Sequence, residues 1–351
     1  MNIGLWVRSL FLVAAMVAAA VFATLFSFNH FSTVDEKLPD RCTPVVGISG
    51  PVDLQVDRAR GIAFVSSLDR TEERPRRGGI HVVDINDPLN GSNWRDRTRG
   101  KPEIFEPYGL SYYNEDGVQR LFVVNAATDA VEVFDVLPSG DLDHLETLSE
   151  PRLTSPNDLV ATGPRAFYVT NDVGAGRTSL LGKLMFLSRA SDGKIMYFNG
   201  ISWRVVASGL QFANGIAMSA DGNKLFAAES AGMGVTSFDR DRRTGLVERA
   251  ESIGVGFATD NLNLTRDGDI IVSGINKPLG LPLHQRDPSV HVPSSVARLS
   301  ASFEIKDHPE QTLFRTSGDL LSAATTADVF QNKLLIGALM EDKFLICDLD
   351  Q

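Results

Sequence analysis

Pro156-Asn157-Asp158-Leu159-Val160, followed after a short gap by Ala166-Phe167-Tyr168-Val169-Thr170, decides the fold, because the chain repeats this unit six times. Pro51-Val52-Asp53-Leu54-Gln55-Val56 leads to Gly61-Ile62-Ala63-Phe64-Val65-Ser66, and Pro107-Tyr108-Gly109-Leu110-Ser111 to Leu121-Phe122-Val123-Val124-Asn125. Ala213-Asn214-Gly215-Ile216-Ala217 leads to Lys224-Leu225-Phe226-Ala227-Ala228, and Asp260-Asn261-Leu262-Asn263-Leu264 to Asp269-Ile270-Ile271-Val272-Ser273. The last copy pairs Ala323-Ala324-Thr325-Thr326-Ala327 with Lys333-Leu334-Leu335-Ile336-Gly337. Each runs through a small or polar entry, a short alternating strand, a turn and a strongly apolar strand. With Asp53, Gly109, Asp158, Gly215, Asn261 and Ala324 as markers, the copies recur at intervals of 46 to 63 residues. That spacing suits a four-stranded blade with variable loops. The reading is an all-β chain, a six-bladed β-propeller. Six repetitions of one pattern argue against the alternative, an irregular β-sandwich.

Local signals agree. Asp116-Gly117, Asp221-Gly222 and Asp267-Gly268 supply turns that need positive φ. Val131 to Phe134 and Gly234 to Phe238 read as third strands. The segment from Leu180 to Ala190 reads as a short helix or lid, and the Pro278 to Pro293 loop as a cover for the channel. The Arg70 to Arg77 segment, with Glu72 and Glu73, reads as a solvated loop. His284 and His291 read as solvated loop histidines, and Trp6, Trp94 and Trp203 as membrane, core or edge residues.

The net charge of -10 excludes a nucleic-acid partner, which needs a basic face. An uncharged apolar run from Leu10 to Phe28 follows Arg8. It approaches the ~20 residues that span a bilayer, and it also reads as a signal peptide. The organisation is therefore residues 1–30 as signal peptide or signal anchor and 31–351 as the propeller domain. The expected location is the secretory pathway, secreted or membrane-anchored, with membrane association through the apolar segment. Cys42 and Cys347 are the two cysteines. They read either as unrelated buried thiols or as a disulfide, and an oxidising compartment favours the disulfide. Such a bond would join the N- and C-terminal strands and close the ring. Asn90-Gly91-Ser92 and Asn263-Leu264-Thr265 are glycosylation candidates.

In a propeller the first residues of the innermost strands meet near one mouth. Here those positions hold Asp53, Asn157, Asp158, Asn214, Asp260 and Asn261. Their oxygens are hard donors suited to Ca²⁺. Turn capping explains single Asp and Asn residues; it does not explain their recurrence at equivalent places in four repeats.

Ser155 to Val160 with Phe167 to Asp172, Phe212 to Ile216 with Ala220 to Gly222, and Thr259 to Asn261 closely resemble the serum paraoxonase/arylesterase family. Val205 to Gly209, Lys333 to Gly337, the terminal cysteines and the apolar N-terminus match too. The resemblance runs from about residue 40 to 350, and the gluconolactonase and strictosidine synthase-like propellers are related to that family. It implies a calcium-dependent hydrolase of lactones or aryl esters. Asn157, Asn214, Asp260 and Asn261 would be ligands of a catalytic calcium. Asp53, Asp158 and the backbone carbonyl of Leu110 would hold a structural one.

Three positions depart from the family's pattern. Val52 stands where the family has a ligating Glu, Tyr108 where it has the His of a Pro-His-Gly motif, and Ala126 where it has a second His. The structural ion is expected, while the second site lacks one of its carboxylates. Tyr108 becomes the candidate catalytic residue, although a phenol of ordinary pKa near 10 is a weak base at neutral pH. The substrate would be an apolar small-molecule ester or lactone. One alternative is a non-hydrolytic enzyme of natural-product biosynthesis, orienting a substrate for cyclisation or condensation in the same pocket. The other is a calcium-stabilised binding protein.

Overall fold

The computed structural model describes residues 3–71, 76–90, 95–300 and 310–349, with the side chains of all of these except 3–7 and 310. Six antiparallel sheets follow one another around a central axis, each running outward from an innermost strand. Blade 1 comprises Leu54–Asp57, Ile62–Ser67 and Gly79–Asp84. Blade 2 comprises Pro107–Glu115, Val118–Asn125, Ala130–Val136 and Leu142–Ser149. Blade 3 comprises Pro156–Gly163, Ala166–Asn171, Gly193–Phe198 and Trp203–Leu210. Blade 4 comprises Ala213–Met218, Lys224–Glu229, Gly234–Arg240 and Val247–Gly254. Blade 5 comprises Ala258–Leu264, Ile270–Ile275, Ser294–Leu299 and Glu310–Thr316. Blade 6 takes Ala324–Phe330, Lys333–Ala338 and Lys343–Asp348 from the C-terminal end and Cys42–Val46 from the N-terminal end.

That last pairing closes the ring. Cys42 lies directly opposite Cys347 in the antiparallel register, and the two form a disulfide across 305 residues of sequence. The short strand Thr98–Arg99 pairs in parallel with the outer strand of blade 2.

The apolar strands pack between blades rather than at the axis. Phe64, Ile80 and Leu121 fill the space between blades 1 and 2, and Phe122, Phe167 and Met196 that between 2 and 3. Tyr168, Leu225 and Phe238 do the same between blades 3 and 4, and Phe226, Leu262 and Val272 between 4 and 5. Ile271, Phe314 and Leu334 separate blades 5 and 6, and Phe344, Leu335 and Val65 join blade 6 to blade 1. Burial of whole aromatic and branched side chains contributes roughly 1.5–3 kcal/mol each. These layers hold the ring while leaving its centre to polar groups.

The polar centre has a backbone cause. In blades 2 to 6 the innermost strand shifts register by one residue, at Pro107/Leu110, Pro156/Leu159, Ala213/Ile216, Thr259/Leu262 and Ala324/Thr326. Such a bulge puts two residues opposite one and re-aims their side chains. The Asn157-Asp158 and Asp260-Asn261 pairs and Asn214 occupy such bulges. Hydroxyls from the second strands clamp them, and one holds Asp53 in the same way in blade 1, which has no bulge. Thr170 Oγ1 accepts from Asp158 N at 3.0 Å and donates to Asn214 O at 2.6 Å, and Ser66 Oγ accepts from Asp53 N at 3.0 Å. Ser273 Oγ donates to Asn261 O at 3.3 Å. Gly109 has no alternative side chain, because a Cβ there would lie 2.5 Å from Asp158 Cα on the neighbouring blade. The turn glycines behave as expected, with Asp116 at φ 52° and Gly117 at φ 75°.

Three α-helices among the described residues complete the fold. Helix α1, Ile3–Ser27, contains a 20-residue stretch of mean hydropathy 2.4, Arg8–Ser27, none of it buried. By length and composition it is able to cross a membrane. At its end Phe28 is buried and stacks on Phe186 at 5.2 Å. Phe186 belongs to α2, Leu180–Leu187, whose N-cap Ser179 accepts from Gly182 N. A 3-10 turn, Pro278–Gly280, runs into α3, Leu281–His284. The expected short helix and covering loop are therefore both present as ordered elements over one mouth.

Candidate functional site

A cavity of about 700 Å³ opens at the mouth where the bulges converge. Its floor carries Asn157, Asn214, Asp260 and Asn261, and its apolar walls include Phe186, Phe212 and Leu279. Strand starts from blades 3, 4 and 5 supply the floor, so side chains distant in sequence meet there.

The carboxamides are oriented with their oxygens free. Asn214 Nδ2 donates to Ser230 Oγ at 3.0 Å, and Asn261 Nδ2 to Val52 O at 3.0 Å. Asn214 Oδ1 and Asn261 Oδ1 are buried without a hydrogen-bond partner. A buried oxygen without a donor costs roughly 1–3 kcal/mol, and a cation removes that cost. Asp260 stands beside them, its carboxyl raised to about 8 by burial and by the nearby Asp53, against the opposing effect of Arg177 and Arg70.

Behind this set lie Asp53 and Asp158, each almost wholly buried. Asp53 Oδ2 accepts from Leu110 N at 2.7 Å, while its Oδ1 accepts from Leu54 N and Thr326 Oγ1, both at 2.8 Å. Asp158 Oδ2 accepts from Ile216 N at 2.8 Å and Oδ1 from Leu159 N at 2.7 Å. Each carboxylate thus reaches from its own blade to the bulge of the next. Burial raises Asp53 to about 7, and burial together with Asp53 raises Asp158 well above the carboxylate range. Three acids that resist ionisation, Asp53 and Asp158 buried and Asp260 half-buried at the cavity, and two orphaned carboxamide oxygens make a donor set suited to a hard cation such as Ca²⁺. Among the described residues no cluster of three His, Cys, Asp or Glu forms a metal site without these carboxamides.

The departing positions are not vacancies. Val52 is buried with Ile275, Val292, Ala323 and Leu339, so this side of the site is an apolar wall. Tyr108 lies half-buried at the cavity, its ring between two guanidinium groups. Arg70 Cζ is 5.0 Å from the ring centroid and Arg177 Cζ is 4.9 Å. Burial alone would raise the phenol, but Arg70 and Arg177 outweigh it and bring its pKa below the ordinary value. Ala126 donates its N–H to Glu106 O at 2.9 Å. Its neighbour Asn125 is committed to the fold through Glu106 N and Glu132 Oε1.

Several sequence readings need correction. Arg70 is not solvated; only 8% of it is exposed, and its Nη1 donates to Gly50 O at 3.0 Å. Glu72, Glu73, Trp94 and the side chain of Trp6 lie outside the described residues. His284 is buried, its Nδ1 2.7 Å from Val290 O, whereas His291 is exposed and pairs with Asp319. Asn263 is a poor glycan acceptor, because it is buried and its Oδ1 accepts from Gln55 Nε2 at 2.8 Å. Asn90 lies on an exposed turn, and Gly91 and Ser92 lie outside the described residues. The sequence reading gave no role to Arg177 or Asp172. Arg177 Nε lies 3.0 Å from Asp172 Oδ2, and Asp172 is fully buried.

Comparison with known proteins adds the following. A family model described as Arylesterase matches residues 65–349. Serum paraoxonase/arylesterase 2 of Gallus gallus is 29% identical over 350 residues, covering 96% of both chains. Serum paraoxonase/arylesterase 1 of Mus musculus is 31% identical over 335 residues, covering 92% of both. Among solved structures, a gluconolactonase from Xanthomonas campestris superposes with a TM-score of 0.54 at 16% identity, covering 91% of this chain and 99% of that one. A calcium-binding protein, regucalcin, from Agrobacterium tumefaciens gives 0.51 at 13% identity, covering 90% and 94%. At such identities these two structures speak to the fold alone.

Proposed function

We propose that this chain, which belongs to the arylesterase family, is a calcium-dependent hydrolase of lactones or aryl esters. The observation that carries the reading is the pair of orphaned, inward-facing oxygens of Asn214 and Asn261 beside Asp260. Asn157, Asn214, Asp260 and Asn261 would hold one ion; Asp53, Asp158 and the Leu110 carbonyl would hold the other. The sets differ in charge, with one carboxylate in the first and two in the second. The second is therefore the tighter site. When bound, calcium at the first site supplies Lewis-acid polarisation of an acyl carbonyl.

The chain's own residues do the rest. Phe186, Phe212 and Leu279 wall the cavity with apolar surface and seat the acyl or aryl group. Tyr108, fixed between Arg70 and Arg177, orients its phenol to hydrogen-bond the substrate. A water oxygen adds to the acyl carbon, the ester C–O bond breaks, and the alcohol or phenol leaves with a proton. Helix α1 would tether the chain to a membrane or direct it into the secretory pathway. Leu180, Leu181 and Leu184 of α2 are exposed, and Phe186 of the same helix stacks on Phe28 at the root of α1.

The test is proton release by the purified full chain, with calcium, from a panel of aryl acetates and five- and six-membered lactones. Turnover of members of either class supports the reading, and no turnover across the panel defeats it. The apolar packing of Val52 favours a second reading, a non-hydrolytic enzyme that orients an organic substrate.

A further inference from the structure

The chain carries a net charge of -10, yet its cavity is basic. Among the described residues, Arg70, Arg76, Arg177, Lys183 and Arg286 line it, against one carboxylate, that of Asp260. Most of these arginines and lysines have flexible stems near the mouth. Arg70 does not. It is more than nine-tenths buried, and its Nη1 is held by the backbone carbonyls of Gly50, Leu68 and Leu339. Its Nε and Nη2 are buried without a hydrogen-bond partner. A guanidinium fixed through one nitrogen, whose other two nitrogens have only the Tyr108 hydroxyl close by, is a fork able to take a planar anion. The Tyr108 ring packs against this fork at 5.0 Å, and Arg177 lies 4.9 Å from the same ring. Arg177 is already balanced by Asp172, whereas Arg70 has no ion pair of its own and meets the buried Glu106 only at longer range.

We infer that the cavity selects substrates carrying an anionic substituent, most simply a carboxylate, and that Arg70 is the specificity-determining residue that receives it. The inference rests on the hydrolase reading and narrows its substrate class from neutral apolar esters to lactones or aryl esters with a carboxylate at the end away from the scissile bond. Lys183 and Arg286, nearer the mouth, would draw such an anion in. Two rigid donors to one carboxylate are charge-assisted bonds, the strong kind. A site built around such a group discriminates strongly against analogues that lack it.

The experiment compares matched pairs on the full chain with calcium: 4-acetoxybenzoate against its methyl ester, and a carboxylated γ-butyrolactone against its methyl ester. The expected result is a kcat/KM at least about tenfold higher for the anionic member of each pair. In Arg70→Gln that ratio should fall about tenfold or more, and in Lys183→Gln, whose side chain is exposed, by a few-fold. Equal or inverted preference in the wild-type protein overturns the inference, as does a Lys183→Gln and Arg70→Gln pair that leaves the ratio unchanged. If Arg70→Gln does not fold, the wild-type ratio and Lys183→Gln still decide. Binding of benzoate, followed by calorimetry without any substrate, separates this inference from the hydrolase reading. Benzoate bound with no ester or lactone turned over would defeat hydrolysis and keep the anion site. Esters turned over with no benzoate bound and no anionic preference would do the reverse.

Discussion

At position 52 the side chain packs among Ile275, Val292, Ala323 and Leu339, while its carbonyl accepts from Asn261 Nδ2. Introducing a carboxylate there has two effects of opposite sign. Val52→Glu should raise calcium affinity at the Asn157, Asn214, Asp260 and Asn261 set, on the order of tenfold, by adding a second formal charge. It should also lower stability without metal by about 2–4 kcal/mol, since a carboxyl enters an apolar cluster. Calcium titration and melting in chelator check the two halves separately. Tyr108→Phe removes one hydroxyl and leaves the arginine sandwich in place. The expected loss is about tenfold in kcat with little change in KM, equivalent to one transition-state hydrogen bond. An unchanged kcat would make Tyr108 a spacer only. The Asn and Asp positions were legible because they recur in the repeat. Arg70 was not, because its charged neighbours Glu72, Glu73, Arg76 and Arg77 read as a solvated loop. Its burial depends on Gly50 and Leu339, one of them nearly the whole chain away.

The bulge is the element that makes the site. Five innermost strands carry it, and second-strand hydroxyls fix it in blades 3 and 5, as Ser66 fixes Asp53 in the unbulged blade 1. Thr170→Val is nearly isosteric but leaves Asp158 N and Asn214 O without this partner. It should cost about 1–3 kcal/mol. It should also weaken calcium binding, because the two bulges it joins carry donors of both proposed sites. A variant with lowered stability and unaltered calcium affinity would show that the clamp supports the ring alone. The strand pattern made the blades readable from sequence, including the third strands at Ala130–Val136 and Gly234–Arg240. The bulges were not readable, since a one-residue shift leaves no mark on hydrophobic alternation when both extra positions are polar or Gly. The burial of His284 was missed for a related reason, its acceptor being the backbone of Val290 in an irregular loop.

Closure of the whole ring rests on blade 6, built from both ends of the chain. Replacing Cys42 and Cys347 with Ser removes a link spanning 305 residues. The expected loss is about 3–5 kcal/mol, read as a lower urea midpoint that reductant reproduces in the wild-type protein. A second link across the ring is Arg58, which donates to Asp328 at 2.7 Å and to Leu264 O at 2.8 Å. Burial raises the Asp328 carboxyl to about 6, more than Arg58 lowers it. A carboxyl raised in the folded state favours folding below its unfolded pKa near 4, and that contribution is lost as pH rises through 6. Stability attributable to this group should therefore fall between pH 4 and 6.5, and Asp328→Asn should flatten that part of the melting profile. A profile that keeps its slope in the variant would assign the effect elsewhere. The ring, its six blades and its terminal closure were all legible, because repetition and the positions of two cysteines are properties of the sequence itself. The basic character of the cavity was not, since its cations come from separate loops and one short helix.

The most direct test of the account is the rate of phenyl acetate hydrolysis by the metal-stripped full chain as free calcium is raised. The account predicts no rate above background in chelator and a saturable rise on calcium addition, lost again in Asp260→Asn. A rate indifferent to chelator, or none at saturating calcium with any ester or lactone tried, would contradict it.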